Sequence, residues 1–128
     1  MKPTLSYKDL VVWQKAMELV STCYQIVERL PSRETYALGN QIIRSSVSIP
    51  SNIAEGYRRH SRKEYIQFCG IASGSTAELE TQLLIVKQNY PNIELTDAAL
   101  AQVIEVQKIL YSLIVGLKRT PKRLSLTA

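Results

Sequence analysis

Residues 8–30 read KDLVVWQKAMELVSTCYQIVERL, and their period decides the class of fold. Trp13, Ala16, Met17, Val20, Cys23, Tyr24, Val27 and Leu30 recur at spacings of three and four, which lays one apolar stripe along a helix. Val12, Leu19 and Ile26 form a second line seven residues apart, so the buried face is broader than a two-stranded seam. Pro31 ends the segment, because proline supplies no N–H and clashes with the preceding turn. A helix this long and this apolar on one side needs further helices to bury it.

The rest of the chain supplies them. Ser32 is the expected N-cap of a second helix, with Glu34 in its first turn. Leu38, Ile42, Ile49 and Ile53 line its apolar face, flanked by Tyr36, Val47 and Tyr57, and it stops near Arg58. A capping box, Ser61-Arg62-Lys63-Glu64, opens a third helix carrying Tyr65, Phe68, Cys69, Ala72, Thr76, Leu79, Leu83 and Val86. Asn89-Tyr90-Pro91-Asn92 makes the next turn. A fourth helix begins at Thr96-Asp97, uses Leu100, Val103, Ile104, Val106, Leu110, Leu113, Ile114 and Leu117, and ends before Pro121. No strand pattern competes. The expected fold is all-α, an antiparallel up-down-up-down four-helix bundle, with short connections placing successive helices side by side.

A chain of 128 residues is long enough to close one core, so a single domain over residues 1–128 is expected, with its core at about 8–118 and a basic, flexible tail expected at 119–128. No uninterrupted run of about 18 apolar residues occurs and Met1–Leu10 lacks an apolar signal region, so neither a membrane span nor a secretory leader is expected. Cys23 and Cys69 fall on apolar helix positions, as small reduced hydrophobes would in a cytoplasmic protein.

The net charge of +5 is unevenly spread. No acidic residue follows Glu105, whereas Lys108, Lys118, Arg119, Lys122 and Arg123 do. Arg58, Arg59, His60, Arg62 and Lys63 make a second cluster, edged by Glu55 and Glu64. Such clusters suit a polyanion; solubility alone is the plainer reading. In an up-down-up-down bundle the second and fourth helices end on the same side, so the nucleic-acid-binding residues expected are Arg58, Arg59, Arg62, Lys63, Lys118, Arg119, Lys122 and Arg123.

Catalysis is hard to assemble from this chain. A di-iron bundle needs Glu-x-x-His on two helices, but His60 is the single histidine and Tyr57 stands three residues before it. Two cysteines and one histidine on different helices fall short of a closed zinc site. Asp9 and Asp97, the only aspartates, sit near helix starts, away from any triad geometry. No catalytic residue, metal or cofactor is expected.

Two segments carry unusual residues. Around Pro50 the second helix must bend or break, and Ser45, Ser46, Ser48, Ser51 and Asn52 surround it with polar side chains able to satisfy the freed backbone. In the third helix Gly70 and Gly74 each cost about 1 kcal/mol against alanine. Close approach of another backbone would offset that cost, either the second helix or a neighbouring subunit; a ligand in the gap is the sharper alternative. Ser48, Pro50, Asn52, Glu55, Gly56, Gly70 and Gly74 are thus assigned to a structural motif.

These residues also carry a resemblance. Tyr7-Lys8-Asp9-Leu10-Val11-Val12-Trp13-Gln14-Lys15-Ala16, Pro31-Ser32-Arg33-Glu34-Thr35-Tyr36-Ala37-Leu38 and Gln41-Ile42-Ile43-Arg44-Ser45-Ser46 are joined by Ser48-Ile49-Pro50-Ser51-Asn52-Ile53-Ala54-Glu55-Gly56, the most specific. Glu64-Tyr65-Ile66-Gln67-Phe68 and Ala72-Ser73-Gly74-Ser75-Thr76-Ala77-Glu78-Leu79-Glu80 complete the set. Over about residues 5–118 the chain resembles the family called four-helix bundle protein or ribosomal-RNA intervening-sequence protein, related to the accessory variability protein of diversity-generating retroelements. The resemblance implies a bundle assembled into a ring-like homopentamer. Retroelement relatives bind nucleic acid and a reverse transcriptase, whereas relatives within ribosomal RNA insertions have no settled activity.

The expected function is therefore a non-catalytic, oligomeric, cytoplasmic accessory protein that binds RNA or DNA with little sequence selectivity, beside a reverse transcriptase or in association with a ribosomal RNA insertion. One alternative is a protein-interaction scaffold without nucleic-acid binding. The second is an enzyme in the cleft between the second and third helices, using Glu55, Glu78 or Arg44.

Overall fold

In a computed structural model that describes residues 6–119, helices α1 (Val11–Arg29), α2 (Leu38–Arg58), α3 (Arg62–Asn89) and α4 (Leu95–Arg119) follow one another along the chain. Each packs against its neighbours in sequence, and α1 closes the bundle against α4. The α2–α3 seam is the most extensive.

Apolar spacing explains which faces meet. α1 buries Val12, Ala16, Leu19, Cys23 and Ile26, so the line of Val12, Leu19 and Ile26 forms its core edge. Met17 and Tyr24, placed in the apolar stripe by spacing, are 43% and 49% exposed and lie on the outer side. α2 contributes Ile42, Ile49 and Ile53, α3 contributes Cys69, Ala72, Leu79, Leu83 and Val86, and α4 contributes Ala99, Val103, Val106 and Leu110. Ile104 turns outward instead of joining them.

Local chemistry moves three helix starts. α1 begins at Val11, because Ser6 Oγ accepts from Lys8 N and caps a 3₁₀ turn at Tyr7–Asp9, leaving Leu10 extended. Tyr7 meets the Trp13 ring edge-on at 5.5 Å. Ser32 does not cap α2: Ser32–Glu34 is a separate 3₁₀ turn, and α2 begins after Ala37 without a side-chain cap. Glu34 is used elsewhere, accepting from the Tyr90 hydroxyl at 2.6 Å, which ties this connection to the one between α3 and α4. That carboxylate also holds the Tyr90 phenol above its ordinary pKa. α4 begins at Leu95, one residue before the expected Thr96-Asp97 start.

α4 is long as well as apolar. Its mean hydropathy reaches 1.5 over 18 residues, long and apolar enough by composition to cross a membrane, although no uninterrupted apolar run marks it. Within the bundle it buries Thr96, Ala99, Val103, Val106 and Leu110, pairs Glu105 with Lys15 of α1 at 3.3 Å, and accepts a place beside α3 through a 2.8 Å bond from Gln107 to Glu80. Much of its apolar surface remains on the outer side.

Candidate nucleic-acid interface

The turn between α2 and α3 is only residues 59–61, held by the expected capping box. Ser61 Oγ accepts from Glu64 N at 3.1 Å and donates to Glu64 Oε1 at 3.2 Å. Arg59 belongs to this scaffold. Its guanidinium pairs with Glu55 at 3.0 Å and Glu64 at 3.5 Å, and lies 4.8 Å from the centre of the Phe68 ring. Two carboxylates offset its charge, so it contributes to the turn's geometry more than to a polyanion's field.

Arg58 and Lys63 flank this turn as exposed cations, and Arg62 is half-buried between them. Lys118 and Arg119 are exposed at the end of α4. Antiparallel helices share one rise per residue, so the Gln107–Glu80 bond fixes their height: Lys118 and Arg119 stand roughly level with Cys69 and Phe68. Gly56 also packs on Phe68. Thus Arg58, Lys63, Lys118 and Arg119 gather towards one end of the bundle, while Lys122 and Arg123 lie outside the described residues.

Beneath the cluster runs the motif around Pro50. α2 continues through Pro50 without a break, and its polar side chains tie the helix to α3. Ser48 and Ser75 share a hydroxyl bond of 2.8 Å, Ser45 donates to Gln82 at 2.7 Å, and the Asn52 amide donates to Ser48 O at 2.8 Å and to Ser48 Oγ at 2.9 Å. The motif thus stitches two helices together as well as serving the local backbone. At Gly56 a Cβ would stand 2.8 Å from Phe68 Cβ and 3.3 Å from the Tyr65 carbonyl, so glycine permits the close approach of α2 to α3.

Gly70 and Gly74 do not. A Cβ at either would meet nothing within 4 Å, and both are exposed, which removes α2 as the backbone they were expected to admit. Gly39, not singled out from sequence, does serve close packing: a Cβ there would lie 3.0 Å from Val27 Cγ1 and 3.1 Å from the Glu34 carbonyl. Its signal was weak, a lone glycine beside a turn.

Burial keeps the thiols neutral. It pushes Cys23 up to about 12, opposed by a hydrogen bond from Ser46, and Cys69 up to about 11; both are free thiols. Burial likewise raises the Tyr65 phenol, with Cys69 and Tyr57 adding to the shift.

The polar groove between α2 and α3 is lined by Gln41, Arg44, Ser45, Ser48, Ser75, Glu78 and Gln82. Its titratable members are Arg44 and Glu78, while Glu55 faces Arg59. The Ser45 and Ser48 hydroxyls are engaged in the α2–α3 bonds. Among the described residues no group of three His, Cys, Asp or Glu side chains gathers to hold a metal.

A family model described as 23S rRNA-intervening sequence protein matches residues 8–112, spanning all of α1, α2 and α3 and most of α4. The chain belongs to that family. A solved relative, a protein of unknown function from the S23 ribosomal protein family of Bacteroides thetaiotaomicron VPI-5482, shares 28% identity with a TM-score of 0.71. The match covers 81% of this chain and 98% of that one. No curated protein matches significantly. For this member of the intervening-sequence family, the shared region includes the α2–α3 turn and the Pro50 motif but stops before Lys118 and Arg119.

Proposed function

We propose that this intervening-sequence family protein is a non-catalytic, oligomeric accessory protein that binds nucleic acid through the basic end of its bundle. The observation that carries the reading is the convergence of Arg58, Lys63, Lys118 and Arg119 at one end, with α4 free of carboxylates beyond Glu105. The family name supports RNA as the polyanion, in the setting of a ribosomal RNA insertion; a partnership with a reverse transcriptase is the finer form of the same proposal. Phosphate contacts from such a surface carry little base information, so binding is weakly sequence-selective and falls steeply with salt.

Self-association belongs to the same reading. Large apolar side chains stand exposed on α1 (Met17 and Tyr24) and on the α3–α4 side (Leu84, Ile85 and Ile104). Two different faces suit a heterologous contact that closes into a ring. A homopentamer would weigh about 70 kDa from a 14.5 kDa chain. It would repeat the basic end around its rim.

The decisive test is an electrophoretic shift with generic RNA and DNA across a salt series, comparing the parent with the double variant Arg58→Glu, Lys63→Glu. The variant should remain helical by circular dichroism and lose binding at low salt. Equal binding by variant and parent would overturn the basic-end reading and favour the protein-interaction scaffold, to which the same exposed apolar faces would then be assigned. Light scattering coupled to gel filtration tests the oligomer, and a monomer at micromolar concentration would remove the ring.

A further inference from the structure

Resting on the nucleic-acid reading above, a second feature specifies what form of nucleic acid is bound. Between α3 and α4 runs an open groove lined by Ser73, Thr76, Ala77, Gln107, Lys108, Tyr111 and Ser112. Tyr111 is 71% exposed and lines the groove together with Lys108, one helical turn away.

The α3 side of the groove is made of small residues. Ser73 and Ala77 line it one turn apart beside Thr76, while Gly70 and Gly74 lie on the exposed outer face of the helix. The facing wall is cationic in one direction: Lys108, Tyr111, Ser112, Lys118 and Arg119 follow the same side of α4. Neither residues 65–77 of α3 nor residues 106–119 of α4 include a carboxylate. The groove therefore leads, without meeting a negative charge on those segments, to the height at which Arg58 and Lys63 flank the α2–α3 turn.

We infer that this groove seats single-stranded nucleic acid, with Tyr111 stacking on a base, Lys108 meeting a phosphate, and the strand continuing onto the basic end. An exposed ring beside cations is the arrangement that binds single strands, because every base offers a face for stacking. A duplex keeps its bases stacked inside and cannot use Tyr111 in that way. The small side chains of Ser73 and Ala77 on the α3 wall leave the sugar–phosphate chain room to approach that larger ones would fill. A second copy of this chain would also fit this groove, but beyond the Gln107–Glu80 bond residues 65–77 and 106–119 carry no carboxylate, and the run of cations along α4 is complementary to a polyanion.

The test is fluorescence anisotropy with a labelled oligouridine of about twelve nucleotides, within the range one such surface covers, and an RNA duplex of equal length. The full chain should bind the single strand more tightly. Tyr111→Ala should weaken single-strand binding about tenfold with its salt slope unchanged and duplex binding nearly so, whereas Tyr111→Phe should keep parental affinity. Lys108→Gln should flatten the slope by about one phosphate contact. Equal single-strand affinity of Tyr111→Ala and parent would overturn the groove, as would a preference for duplex. A Tyr111→Ala protein that elutes as a smaller species while binding normally would overturn it too and give the groove to a second copy. If the parent binds neither probe at low salt, the nucleic-acid reading itself fails; if only the Arg58→Glu, Lys63→Glu variant loses binding, the basic end stands and the groove alone falls.

Discussion

α3 packs against two neighbours in two different ways. Towards α2 it is in tight contact, with Gly56 against Phe68 and hydroxyls bonded across the seam at Ser48–Ser75. Towards α4 it opens into a groove lined by Ser73, Thr76 and Ala77 and crossed by the Gln107–Glu80 bond, while Gly70 and Gly74 on its outer face touch nothing. The same residue type thus has opposite meanings on neighbouring helices. On α2 glycine removes a clash; on α3 it leaves space, and the helix gives up propensity without any packing return inside the subunit. A glycine consumed by a seam is structural, and one left on an outer face is available to something else.

Three substitutions break or sharpen that contrast. The largest effect belongs to Gly56→Val, which places a branched side chain where even a Cβ would stand 2.8 Å from Phe68 Cβ. Overpacking of this kind costs about 1–3 kcal/mol and occasionally more, and urea denaturation should place this variant as the least stable of the three. A wild-type midpoint would show that the α2–α3 contact is loose. Next is Ser48→Ala, which takes the partner from the Ser75 hydroxyl and leaves the Asn52 amide only its bond to the backbone carbonyl of residue 48. Leaving part-buried partners unsatisfied costs about 1–3 kcal/mol, at the lower end here because both can reach water; nucleic-acid affinity should stay constant where the fold survives. Normal stability with lost binding would turn this seam into a binding site. The smallest effect has the opposite sign. Gly74→Ala places its Cβ in open space and should stabilise the helix by up to about 1 kcal/mol, read as a raised melting temperature. Destabilisation would mean that this outer face of α3 is covered by a neighbouring subunit in solution.

Much of this was legible in the sequence because it depends on neighbours close along the chain. The stripe in α1, the Ser61–Glu64 box and the Asn89–Asn92 turn are all local signals, and each gives an element near its expected place. The four-helix order follows from them. What failed depends on contacts that sequence spacing does not encode. Ser32 and Glu34 have the chemistry of a helix start, but Glu34 is taken by Tyr90, 56 positions away, and its carbonyl folds back over Gly39. The chain therefore makes a separate turn before α2 begins. Met17 and Tyr24 satisfy the helical period, yet α1 presents a narrower face to the core than the apolar residues could cover. At the candidate interface, the cation cluster was visible as composition, but the pairing of Arg59 with Glu55 and Glu64 needs the turn to be folded. Tyr111 has no local signal at all; its significance comes from lying across an open groove from residues some forty positions earlier.

The connectivity has a further consequence for how the molecule comes to be folded. Three of its four helix–helix seams join elements adjacent in sequence, and the α2–α3 pair is linked by residues 59–61 alone. Short links make contacts with little loop-closure entropy, so such topologies reach the native state quickly. The α1–α4 seam is the exception, bringing the two ends of the chain together, with the Lys15–Glu105 pair at its surface. Its formation carries the longest closure, which places the α2–α3 hairpin early in assembly and the docking of α1 on α4 late. An intermediate lacking that last seam would already possess the α2–α3 turn and its cations, but would expose the inner sides of the first and last helices to any other chain nearby.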